Sequence, residues 1–217
     1  MQGIQQVTFV VGPRRSGKNS VVNYLLSHYS AGYLSQIVMG ITTDTELPES
    51  STLMVTDETD TFSKNPQKFC DTWMQVMKRD RGQHYVILID NALYSREMLI
   101  KCSDPLISLL KVCTPTIRLH IIITMQHLPV IAPFPIDQLY FHQTSGENDH
   151  ANILKAFHQL DSSDLVSTIE RYGKKYPWMS LHHSGLFGGL TLSSPMTRAW
   201  HKYSLECPMS TQIKMHP

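Results

Sequence analysis

The chain has few of the features that mark secreted or membrane proteins. It holds only four cysteines in 217 residues, Cys70, Cys102, Cys113 and Cys207. No two stand at CxxC spacing, so neither a zinc ribbon nor a thioredoxin-like site is read from them. Buried free thiols in a reducing compartment are expected instead. No apolar run approaches the ~18 residues that a membrane span requires. Met1-Gln2-Gly3-Ile4 has no basic segment leading into an apolar stretch, so no secretory leader is expected there. Gln2 is incompatible with an N-myristoylation start. Charge of neither sign dominates: 19 Lys and Arg stand against 18 Asp and Glu, a net +1. Such a balance gives no global drive toward nucleic acid, and any such contact needs a local patch or the pore of an oligomer. Internal repeats and low-complexity segments are missing as well.

What remains is an ordinary globular composition, 41% hydrophobic and 17% charged. The length suits one α/β domain, or one domain with a small appendage. Short continuous apolar runs alternate with segments of helical spacing. Gln6–Val11, Tyr33–Ile41, Leu53–Val55, Tyr85–Ile89, Ile121–Met125 and Leu139–Phe141 read as strands. Helices are expected from Asn19 onward, from Pro66 (which suits a first turn), over Arg96–Leu110, and at about Asp149–Leu160 and Ser163–Tyr172. Apolar strands separated by helices predict a mostly parallel sheet covered on both faces. Residues 1–177 form the expected domain. Residues 178–217 form an extension with an edge strand at Trp178–His182 and a flexible tail.

The motif that carries chemistry is Gly12-Pro13-Arg14-Arg15-Ser16-Gly17-Lys18, a match to GxxxxGK. A strand precedes it and a helix follows, as a phosphate-binding loop requires. Backbone N–H groups curl inward onto phosphate oxygens, and the helix N-terminus adds positive potential. Lys18 would reach the β- and γ-phosphates of ATP. Arg14 and Arg15 either supplement it or face solvent. The next residue is normally Ser or Thr, whose hydroxyl ligates Mg²⁺. Here it is Asn19, whose amide oxygen is a weaker ligand, with Ser20 as a substitute.

Three further positions are candidates. Asp90 ends the most apolar run after the loop, as a Walker B carboxylate holding Mg²⁺ would. An Asp capping a turn is the alternative. The residue after it, often acidic, is Asn91, which cannot take a proton. Asp57-Glu58 is the rival hydrophobic-acidic ending, and Glu58 is the second choice for the catalytic base. Gln126 ends the Ile121–Met125 strand, where it either senses the γ-phosphate or simply leaves the sheet.

The order of these elements resembles the genome-packaging ATPases of large DNA viruses, the poxvirus-type branch of the FtsK–HerA superfamily. The resemblance spans roughly residues 5 to 160. It rests on Val7–Ser20, on Val86-Ile87-Leu88-Ile89-Asp90-Asn91, and on Ile121–Met125 followed by Gln126-His127-Leu128-Pro129 and Leu139-Tyr140-Phe141. It implies a RecA/FtsK-like P-loop NTPase fold and a ring of identical subunits that hydrolyses ATP with Mg²⁺. Such a motor moves double-stranded DNA into a capsid, with capsid proteins as partners, at intracellular sites of virus assembly in the host. Lys18 would bind phosphate, Asp90 the metal, and Gln126 would act as sensor. Arg118 is a weak candidate for an arginine finger. Two other readings stay open. One is a nucleotide-binding module with weak turnover, motivated by Asn19 and Asn91. The other is a small nucleoside or nucleotide kinase, although no arginine-rich lid lies between residues 140 and 175.

Overall fold

The structure is a computed structural model. It describes residues 5–30, 36–40, 52–55, 65–79, 84–90, 96–112, 117–128, 136–143, 146–156, 166–167, 169–171, 178–184, 189–193 and 211–213. For some of these, Asp90 among them, it describes the backbone alone.

Among the described residues, nine strands form a single sheet. They are β1 (Gln5–Val11), β2 (Gln36–Gly40), β3 (Thr52–Val55), β4 (His84–Asp90), β5 (Arg118–Met125), β6 (Gln138–His142), β7 (Trp178–Ser184), β8 (Gly189–Ser193) and β9 (Thr211–Ile213). Their spatial order is β3-β2-β4-β5-β1-β6-β7-β8-β9. The first six in that order pair in parallel, and β7 to β9 continue the sheet antiparallel. The mostly parallel sheet of the sequence reading is therefore present. Trp178–His182 does lie in a strand, but β7 carries β8 on its far side and is not the edge.

Among the described residues the sheet is flanked by α1 (Lys18–Ser30), α2 (Pro66–Arg79), α3 (Arg96–Leu110) and α4 (Glu147–Ala156). The strands alternate their side chains between two cores. On one face Val10, Val86, Leu88 and Ile122 pack with Val22, Leu25 and Leu26 of α1. On the other, Phe9, Ile87, Ile89, Ile121 and Ile123 pack with Phe69 and Trp73 of α2 and Cys102 and Leu106 of α3. Both faces are covered, which is why the strands read as unbroken apolar runs.

Local chemistry sets the helix starts. Asn65 caps α2 by accepting from the Lys68 N–H at 3.0 Å, and Pro66 fills the first helical position, where no N–H is needed. Phe69, Cys70, Trp73 and Met77 then turn one stripe inward. Each large side chain so buried contributes about 1.5–3 kcal/mol. Cys70 and Cys102 are free and buried, and burial pushes their thiols up to about 12 and about 11. Cys113 and Cys207 lie outside the described residues.

Candidate functional site

The phosphate-loop sequence sits where β1 leaves the sheet. Gly12 still belongs to the ladder, its N–H donating to the Met125 carbonyl at 3.1 Å. The chain then tightens, and the Ser16 N–H turns back toward the Pro13 carbonyl at 3.4 Å. Two residues take positive φ, Arg15 at 61° and Gly17 at 88°. Glycine adopts that region freely, whereas a side chain there costs about 1–2 kcal/mol. Arg15 bears that strain, and it is exposed, as is Arg14. Gly12 serves a different need. A Cβ there would lie 2.8 Å from Trp178 Cη2, 2.9 Å from Ser16 Oγ and 3.1 Å from His142 Cβ. Space, not φ, demands glycine at 12.

At Gly17 the helix begins. Its carbonyl accepts from the N–H groups of Ser20 at 3.0 Å and Val21 at 3.4 Å. The first amides of α1 lie ahead of the intrahelical ladder and form the positive end of its dipole. Lys18 is buried, and its Nζ donates to the carbonyls of Gly12 at 2.6 Å and Pro13 at 2.8 Å. Its ammonium is thus held inside the loop. Ser16 Oγ is buried and finds no hydrogen-bond partner among the described residues. A curled loop, an inward ammonium and an orphaned hydroxyl together fit a phosphate group. Asn19 and Ser20 lie exposed on the first turn of α1.

The neighbouring strand ends converge on this loop. β5 lies between β1 and β4, so Gln126 emerges directly beside Gly12. Asp90 pairs with Thr124, which pairs with Val10. Asp90 therefore lies two strand spacings from β1, roughly 10 Å across the sheet, at the same C-terminal edge. Arg118 begins β5, roughly 25 Å along the strand from Gln126 and at the opposite edge. Within one subunit it is not part of this site. Glu58, Asp57 and Asn91 lie outside the described residues.

The segment after β5 is clamped by α4. Asp149 is buried and accepts the Leu128 N–H at 2.9 Å, with its second oxygen 3.3 Å from His127 Nδ1. Asn152 donates to the Leu128 carbonyl at 2.8 Å. This clamp fixes the backbone two residues after Gln126.

Two residues of the site escaped the sequence reading. His142 ends β6 and Trp178 begins β7, and they pair directly across the antiparallel ladder. Their rings meet edge to face, with centroids 5.2 Å apart at 74°. The Trp178 indole N–H donates to the Ser16 carbonyl at 3.0 Å. Burial, and then the Lys18 ammonium, hold the His142 imidazole below its ordinary pKa, favouring the neutral ring. Trp178 lies 162 positions from Ser16, beyond any local spacing pattern.

This sheet, with its loop between β1 and α1 and its strand ends gathered at one edge, is a P-loop NTPase fold. Solved structures of like shape bear that out. The genome-packaging NTPase B204 of Sulfolobus turreted icosahedral virus 2, in complex with AMPPCP, matches at TM-score 0.55 and 16% identity, over 88% of this chain and 98% of that one. The same protein in complex with sulfate matches at TM-score 0.56 and 14% identity, over 88% and 97%. The DNA-packaging ATPase B204 of Sulfolobus turreted icosahedral virus matches at TM-score 0.54 and 14% identity, over 88% and 98%. The fold that the sequence resemblance implies is thus the fold these structures share. No protein-family model matches the sequence. No curated protein matches it either. No helix among the described residues is long and apolar enough to cross a membrane.

Proposed function

We propose that the protein is the ATPase of a viral genome-packaging motor, working as a ring of identical subunits on double-stranded DNA against a capsid. The observation that carries this reading is the inward Lys18 in a curled loop, on a fold matching the B204 packaging ATPases over 88% of the chain.

In this reading Lys18 exchanges the carbonyls of Gly12 and Pro13 for the β- and γ-phosphates of ATP. The exchange costs little, because the ammonium is already desolvated and aimed into the loop. The first amides of α1 and the Ser16 hydroxyl complete the cradle. Asp90 and Asn19 would hold Mg²⁺, which when bound offsets negative charge on the phosphates. Gln126, leaving the sheet beside Gly12, is the candidate γ-phosphate sensor. The α4 clamp fixes the segment through which it would report. Glu58 is the candidate base.

Asn19 and Asn91 favour a second reading, a nucleotide-binding subunit with slow hydrolysis, since neither supplies the usual hydroxyl or carboxylate at its position. One set of assays separates the two. The motor requires Mg²⁺-dependent ATP hydrolysis that double-stranded DNA stimulates, loss of it in Lys18→Ala, and assembly beyond a dimer. Nucleotide binding with no DNA-stimulated turnover would favour the slow module.

A further inference from the structure

Trp178 ties the antiparallel end of the sheet to the phosphate loop. The residue is 5% exposed, and a buried indole N–H requires an acceptor. Its acceptor is the Ser16 carbonyl, in the middle of the loop, at 3.0 Å. The ring is fixed on one side by His142 and covers Gly12 on another. Behind it lies the core shared by α1, Val10 and Tyr140. The indole is thus packed on several sides while its N–H reaches the loop.

Peptide geometry gives that grip a consequence. The Ser16–Gly17 peptide is planar and trans, so the Ser16 C=O and the Gly17 N–H point in opposite directions. Fixing the oxygen toward Trp178 turns the Gly17 N–H away from β7. A rotation of this peptide would exchange the two groups and put a carbonyl oxygen where a phosphate needs a donor. Glycine at 17 makes such a rotation easy, because it adopts either sign of φ. The indole bond opposes it.

The geometry points to Trp178 as a positioning residue of the phosphate site, holding the Ser16–Gly17 peptide with its amide available to the nucleotide. This rests on the nucleotide-binding reading above. Trp178→Phe keeps an aromatic ring and removes the donor. Calorimetric titration with AMPPCP should show affinity about tenfold weaker than wild type, the loss corresponding to one net hydrogen bond. Michaelis kinetics with ATP should show a raised KM and a kcat within about twofold, because the defect is in binding. A merely structural role would lower the melting temperature and leave the folded protein's affinity unchanged.

Equal AMPPCP affinity in wild type and Trp178→Phe overturns the inference and leaves the nucleotide reading standing. Wild type that binds no AMPPCP removes both. Should the variant not fold, wild-type NMR decides, with the indole proton assigned through the protons of the Trp178 ring, which packs edge to face with His142. That proton should exchange slowly with water and remain slow at AMPPCP saturation. Rapid exchange in the nucleotide-bound protein overturns the inference.

Discussion

Lys18 Nζ lies 2.6 Å from the carbonyl oxygen of Gly12, so the ammonium is held by the loop it belongs to. The pairing keeps a buried cation satisfied and stores it at the point where phosphate would arrive. Lys18→Ala removes a charged donor from the site. AMPPCP affinity is expected to fall about 10- to 100-fold, in line with about 1.5–3 kcal/mol for a hydrogen bond to a charged group. Calorimetric titration measures it, and circular dichroism checks that the variant is folded.

Gly12→Ala is expected to destabilise the protein. Its Cβ would meet Trp178, Ser16 and His142 at 3.1 Å or less, and two of these side chains are fixed against each other. Overpacking of this kind costs about 1–3 kcal/mol. The readout is a lower midpoint in urea with an unchanged slope.

Asp149→Ala leaves the buried Leu128 N–H without its acceptor. An orphaned buried donor costs about 1–3 kcal/mol. Asp149→Asn retains an oxygen for that N–H and should recover most of the loss. If the clamp also orders Gln126, the alanine variant loses kcat beyond what its folded fraction explains. Urea melts and turnover measured together separate the two effects.

Stability should fall as the solution is acidified below about pH 6.5. Burial, then Lys18, lowers the pKa of His142, and burial lowers that of His150 despite the nearby carboxylates of Asp149 and Glu147. For a histidine with a lowered folded pKa, the unfolded chain takes up protons first. The stabilisation is therefore complete above the unfolded value of about 6.5 and is lost as pH falls through the lower folded value. Melting temperatures recorded between about pH 7 and pH 5.5 should drop less steeply in the His142→Gln, His150→Gln double variant than in wild type.

The fold was legible in the sequence because its signals are local. Val7–Val11, Tyr85–Ile89 and Ile121–Met125 are buried on both faces and so read as unbroken apolar runs, and Asn65-Pro66 marks a helix start by its own chemistry. The phosphate loop was legible for the same reason, strand, turn and helix being contiguous. Two features were not. Trp178 and His142 reach the loop only through strand pairing, which brings residues far apart in the chain side by side. The division of work between Gly12 and Gly17 was also hidden. Both read as turn glycines, yet one meets crowding and the other a positive φ, with Arg15 sharing the second burden. The extension after Pro177 reads as an edge strand from its own residues. The partners that make β7 internal, β6 and β8, are set by the whole sheet.

Crystals grown with AMPPCP test the account most directly. It requires the β- and γ-phosphates inside the turn between β1 and α1, with Lys18 Nζ moved from the Gly12 and Pro13 carbonyls onto phosphate oxygens. A structure with AMPPCP bound elsewhere, and Lys18 still on those carbonyls, would contradict it.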